Sequence, residues 1–212
     1  MKARLALLSL LISCALHAET EKFTVLVHGG TTKAGHQYVT RDDDGNTKVE
    51  FIFKDNGRGP ELKEEFKVDK DSTFTRYHVE GTSTFGALIN ESFERNGNKV
   101  QWKSTSDKGE QEVFGTALYT PLGGAPADMS VVIEALSKRA DGKLPLIPGG
   151  TMTWSKLVES EVTNGGEKKK VRLVALTGIG FTPTFVWITE DAQPHMFAFI
   201  FPGFAQMLPE GW

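Results

Sequence analysis

Cysteine is almost absent. The 212 residues contain one, Cys14, so no disulfide within the chain can staple the fold and no thiolate-rich zinc site can form. Excess positive charge is missing too: 24 Lys and Arg stand against 27 Asp and Glu, for a net charge of −3. That balance gives no electrostatic footprint for nucleic acid or an anionic membrane, and no nucleic-acid partner is expected. Long hydrophobic runs are also lacking. The longest, Leu5 to Leu16, falls short of the roughly 20 residues that a spanning helix needs, so no transmembrane segment is expected.

The motifs of catalysis are equally scarce. Leu26-Val27-His28-Gly29-Gly30 looks like the oxyanion segment of an esterase, but the chain has no Gly-x-Ser-x-Gly elbow to supply a nucleophile. It reads instead as a strand ending in a Gly-Gly turn. Asp42-Asp43-Asp44-Gly45 suggests a calcium loop, yet Thr40 stands at the first ligand position and Phe51 where the closing Glu belongs. It reads as a solvated hairpin turn. His28, His36, His78 and His195 are scattered, with no His-x-His and no His-Glu-x-x-His among them. No catalytic residue, metal ligand or cofactor is therefore assigned to this chain, and no hydrolysis of amides or esters is expected from it.

What is present begins with an export signal. Lys2 and Arg4 precede the apolar run, which ends at Leu16-His17-Ala18, so residues 1–18 read as a secretory signal peptide and the protein as periplasmic or secreted. Cleavage after Ala18 removes Cys14 and two cations, leaving 22 cations against 27 anions, or −5. A second reading stays open, because Leu11-Ile12-Ser13-Cys14 fits a lipobox in which Cys14 becomes a lipidated N-terminus. The export signal also leaves the sequon Asn90-Glu91-Ser92 idle.

From Phe23 to Tyr119 the hydrophobic period is two, broken by turn residues every eight to twelve positions. In Leu62 to Asp69, Lys63, Glu65, Lys67 and Asp69 share one face while Leu62, Phe66 and Val68 share the other. One wet face argues for an antiparallel sheet and against a parallel sheet covered by helices on both sides. Strands are expected at Phe74–Glu80, Thr84–Phe93 and Lys99–Ser104, then Thr151–Thr163, Lys168–Leu176, Thr184–Thr189 and Met196–Phe201. Between the two groups, after the breaker-rich Pro121–Pro126, Asp128 is placed to cap a helix near 127–140 carrying Met129, Val132, Ile133 and Leu136. The expected fold is mainly β: residues 19–212 as a single domain, a curved antiparallel meander sheet or half-barrel with one packed α-helix.

Aromatic residues form a further cluster, with Trp102, Trp154 and Trp187 and the set Phe181, Phe185, Phe197, Phe199, Phe201 and Phe204. Core packing explains them, and so does an apolar cavity lined in the mouth of a curled sheet; periodicity does not separate the two.

Lys54-Asp55-Asn56-Gly57-Arg58-Gly59-Pro60, Glu80-Gly81-Thr82-Ser83-Thr84-Phe85-Gly86, Glu91-Ser92-Phe93 and Pro148-Gly149-Gly150, taken with the export signal, resemble the N-terminal region of exported bacterial amidohydrolase-family proteins. The resemblance implies a non-catalytic accessory domain whose partner is a downstream metal-dependent hydrolase domain. Arg58 is then a surface charge or a contact to that domain. Residues 202–212, with Phe204, Met207, Leu208 and Trp212, are expected to dock it or to self-associate. The alternative is a stand-alone periplasmic binding or carrier module for a lipid or other apolar ligand.

Overall fold

A computed structural model describes residues 19–201 and 203–212. The signal-peptide and lipobox readings, including Cys14, lie outside the described residues. The first half of the chain is a run of hairpins: β1 (Glu19–Val27), β2 (Thr32–Arg41), β3 (Asn46–Phe53), β4 (Glu61–Val68), β5 (Phe74–Thr82), β6 (Leu88–Asn96), β7 (Lys99–Lys103) and β8 (Lys108–Glu112). Then come β9 (Leu118–Tyr119), the helix α1 (Asp128–Ser137), and β10 (Lys143–Ile147), β11 (Thr151–Asn164), β12 (Glu167–Thr177), β13 (Thr184–Thr189), β14 (Met196–Phe201) and β15 (Ala205–Pro209).

All the strands join one open, curved sheet in the order β8-β7-β6-β5-β4-β3-β2-β1-β15-β14-β13-β12-β11-β10-β9. The two meanders meet where β15 pairs with both β1 and β14, placing Met207 opposite Val25 on one side and Phe199 on the other. The open edges are blunted differently. β8 reads Lys-Gly-Glu-Gln-Glu, a charged strand that discourages a further partner, whereas β9 is two buried residues long.

Period two produces the expected faces. Along β4, Leu62, Glu64 and Phe66 are buried while Lys63, Glu65 and Lys67 are exposed. The inward residues of both arms form a single core with Val131, Val132, Ile133, Ala135 and Leu136 of α1. A helix that seals inward residues of both arms of one sheet must lie on its concave side. The helix is also tied down at its far end, since Lys138 Nζ donates to the Lys70 carbonyl at 2.8 Å and to Ser72 Oγ at 2.7 Å. Leu136 and Ile133 are wholly buried, and removing either to Ala is expected to cost on the order of 2–5 kcal/mol.

Four features differ from the sequence reading. β9 and β10 are parallel, pairing Leu118 with Leu146 and Tyr119 with Ile147, because α1 supplies the crossover that a parallel pair requires. Asp128 is the first helical residue rather than the cap; Ala127 holds that position, and the Asp128 side chain turns into the core. β5 runs on past the expected end at Glu80 and includes Gly81. The φ of Gly81 is +147°, and an added Cβ would fall 1.9 Å from the Glu61 carbonyl oxygen, so two backbones approach where only glycine fits. Finally, β15 is an internal strand of the sheet, flanked by a partner on each side.

Because neighbouring strands alternate in direction, the connections gather at two ends of the sheet. The β1–β2, β3–β4, β5–β6, β7–β8, β10–β11, β12–β13 and β14–β15 turns share one end with the segment 120–127 that leads into α1. Turns such as Asp42–Gly45 and Asp69–Thr73 occupy the other.

Candidate functional site

Three polar residues occupy inward positions that the alternation assigns to the core: Gln37 on β2, Glu64 on β4 and Glu91 on β6. Register sets two of them in one row, since Glu64 lies opposite Val79 of β5 and Val79 opposite Glu91. They face the segment 122–127 and take its otherwise orphaned N–H groups. Glu91 accepts from Leu122 at 3.0 and 3.1 Å and from Gly123 at 3.3 Å. Glu64 accepts from Ala125 in a very short bond, and Gln37 Oε1 accepts from Ala127 at 2.9 Å. Strand side chains thus fasten a backbone that has no sheet partner of its own, and each such bond to a carboxylate contributes about 1.5–3 kcal/mol.

Two tyrosines complete the latch. The Tyr119 hydroxyl donates to Glu91 at 2.5 Å. The Tyr77 hydroxyl lies 2.9 Å from Glu64 Oε1 and 3.3 Å from Asp128 Oδ2. A hydroxyl has one proton to donate, so Tyr77 can satisfy both carboxyl groups only if one of them is protonated and donates back. The environment favours that state. Burial, and then the neighbouring Glu64, push the Asp128 carboxyl well above the usual carboxylate range, and burial pushes Glu64 up to about 7. Burial together with Asp128 and Glu64 raises the Tyr77 hydroxyl well above its ordinary value, so it remains a donor. Gly124 passes so close to this cluster that an added Cβ would sit 2.1 Å from Asp128 Oδ2.

The latched segment forms one wall of a cavity of about 410 Å³ between the two arms, at the end where 120–127 lies. Phe51, Phe53, Leu62, Ile89, Met129 and Phe199 line it, with Ser83, Thr84, Phe201 and Phe204 toward the mouth. No acid, base or histidine is among the lining residues, and none of the buried carboxyl or tyrosine groups reaches this cavity. Phe204 packs edge-on against Phe53 at 5.4 Å between ring centres, and Phe201 against Phe199 at 4.4 Å. The volume falls in the range of small-molecule sites, and the lining offers apolar contact with hydroxyls only at the entrance. Its interior is therefore hollow where Phe199, Phe201 and Phe204 meet the latch.

The residues named from the sequence are distributed rather than gathered. Phe204 is on the cavity rim and exposed. Met207 is wholly buried in the core. Leu208 and Trp212 are half-buried against Val171, Phe197 and Ala198, a small cluster that also takes in Trp187. Arg58 is exposed in the β3–β4 turn, where its backbone exchanges hydrogen bonds with Asp55 at 2.8 and 2.9 Å. Among the described residues no three His, Cys, Asp or Glu side chains gather to hold a metal, and no helix is long and apolar enough to cross a membrane. No sequence motif marks the latch. Its signal was parity: Glu64 stands between Leu62 and Phe66, and Glu91 between Ile89 and Phe93, on faces that should be apolar.

No family model matches the chain, and no curated protein does. Among solved structures it is similar to the β-barrel-like protein of a domain of unknown function, DUF1849, from Brucella abortus, at 11% identity and a TM-score of 0.54, over 90% of this chain and 94% of that one. At that identity the likeness is one of fold alone.

Proposed function

We propose that this chain is a non-catalytic binding module for an apolar ligand of the acyl-chain class, held between the two arms of the sheet. The observation that carries the reading is the cavity of about 410 Å³, walled by Phe, Leu, Ile and Met side chains, without an ionisable group, and opening beside Ser83 and Thr84. Such a lining has nothing with which to activate a bond, and it rewards burial of methylene groups. Each methylene withdrawn from water is worth about 0.8 kcal/mol, or roughly fourfold in affinity. The segment expected to dock a hydrolase domain gives Phe204 to the cavity rim and Met207 to the core, which favours the ligand over the domain as the occupant of this end.

A homologous series of fluorescent acyl probes tests the reading. Affinity should climb about fourfold per added methylene until the cavity is filled and then level off. Met129→Trp, which fills the cavity from the helix side, should lower affinity for the longest probe at least tenfold. No dependence on chain length, or no effect of Met129→Trp in a folded variant, would refute it.

A further inference from the structure

The end of the sheet at which the cavity opens is unlike the opposite end in charge and in exposed apolar surface. Five of its connections, at 83–87, 120–126, 148–150, 178–183 and 202–204, contain no charged residue. They and the first residue of β6 expose Phe85 (85%), Leu88 (76%), Leu122 (69%), Ile179 (54%), Phe204 (55%) and a fully exposed Phe181. The other end carries Asp42, Asp43 and Asp44, then Asp69, Lys70 and Asp71, then Lys138 to Asp141, then Glu190 and Asp191, with Phe114 its one large exposed apolar side chain. Single exposed apolar residues are ordinary on a protein surface; six on turns and strand starts at the end where an apolar cavity opens are not. Ser83 and Thr84 precede Phe85 in the same turn, and Gly123 and Gly124 follow Leu122, so both tips continue directly into the cavity wall.

We propose that this end is a lipid-bilayer contact face: the uncharged tips enter the interfacial region of a membrane, and an acyl chain passes between bilayer and cavity without crossing water. The inference rests on the cavity reading above and assigns that site its source of ligand. A bilayer fits better than a protein partner because the tips present little hydrogen-bonding chemistry and no charge, as a face buried among acyl chains and glycerol backbones requires. At the same end lie Lys33 near the start of β2, Lys54, Asp55 and Arg58 in the β3–β4 turn and Asp107 in the β7–β8 turn, where the long cationic side chains can stay at the level of the headgroups. With residues 19–212 at a net −5, attraction to an anionic surface is not the driving force.

The test uses residues 19–212, which contain every described strand, the helix and the whole core, so that the apolar N-terminal run does not itself bind lipid. Flotation with phosphatidylcholine vesicles should recover the protein with lipid to the same extent at low and high salt. The triple variant Phe85→Asp/Ile179→Asp/Phe181→Asp should float more than about tenfold less, because apolar burial at the tips supplies the binding. It should nevertheless bind a water-dispersed acyl probe as tightly as the wild type, which also shows that it folds. Three results overturn the face: wild-type protein that does not float, protein that floats only with anionic vesicles and is released by salt, or a wild-type dimer that the triple variant breaks. Loss of chain-length dependence in the probe assay sinks the cavity reading instead, and leaves the flotation result to be judged by itself.

Discussion

Replacing Glu64 with Gln should flatten the pH dependence of stability. Glu64 is almost wholly buried beside Asp128 and Glu91, and its carboxyl is pushed up to about 7 from an ordinary value of 4.5. A carboxyl that holds its proton more tightly folded than unfolded stabilises the fold at low pH and ceases to do so as pH rises through the folded-state value. For Glu64 the loss begins near pH 4.5 and is complete a little above 7. With 1.36 kcal/mol per pH unit over that interval, the wild type forfeits about 3 kcal/mol from this group. Glutamine cannot titrate, yet its carbonyl oxygen can still accept from Ala125 N–H, so the latch keeps its bond. Urea unfolding at intervals from pH 5 to 8 reads the effect. The wild-type midpoint should fall with pH and the Glu64→Gln midpoint should fall less, the difference in unfolding free energy moving by about 2 to 3 kcal/mol over that range in favour of the variant. Asp128, raised first by burial and then by Glu64, loses the second contribution in the variant, which flattens the variant's pH dependence further. Asp42 and Asp71, held below the usual range chiefly by hydrogen bonds from Asn46 and Lys70, change at lower pH and lie outside the window. A wild type whose stability rises from pH 5 to 8, or a variant with the same slope as the wild type, would refute the reasoning.

Two further outcomes follow from the same geometry. Glu91→Ala removes the acceptor for Leu122, Gly123 and Tyr119 together, so it should destabilise by about 3–5 kcal/mol and raise amide hydrogen exchange at 122–125 before it does so in β1 or β15; uniform exchange across the chain would count against a local latch. Gly59 has φ +147° with the Phe53 carbonyl oxygen 2.0 Å from where a Cβ would stand, while Gly57 has φ +74° and open space around it. Gly59→Ala should therefore lower the urea midpoint more than Gly57→Ala, by more than about 1 kcal/mol in unfolding free energy, and equal losses would show that backbone crowding at Gly59 is relieved at no cost.

Much of the fold was legible because each hairpin is specified locally. Alternation fixes which face of a strand is wet, Asp42–Gly45 and Asn96–Asn98 fix turns, and a single stripe of Val132, Ile133 and Leu136 after a Pro and Gly-rich linker fixes the helix. The short elements were not legible. β8, β9 and β10 hold two to five residues each, too few for a period to show, and Ala205–Pro209 reads as an apolar tail until both of its neighbours are known.

The candidate site divides in the same way. Sequence alone determined that Phe199 and Phe201 share one face with Phe197, and that Gln37, Glu64 and Glu91 stood at core parity, since both follow from the two-residue repeat of a strand. Whether those aromatics fill the interior or line a hollow depends on the distance between two arms that are joined only through β1, β15 and β14, far apart in sequence. That the three polar side chains converge on one segment depends on strand register and on where α1 leads its chain across the concave face. A repeat of two residues assigns a face but carries no measure of curvature, and it is the curvature of the sheet that sets both the cavity and the reach of the latch.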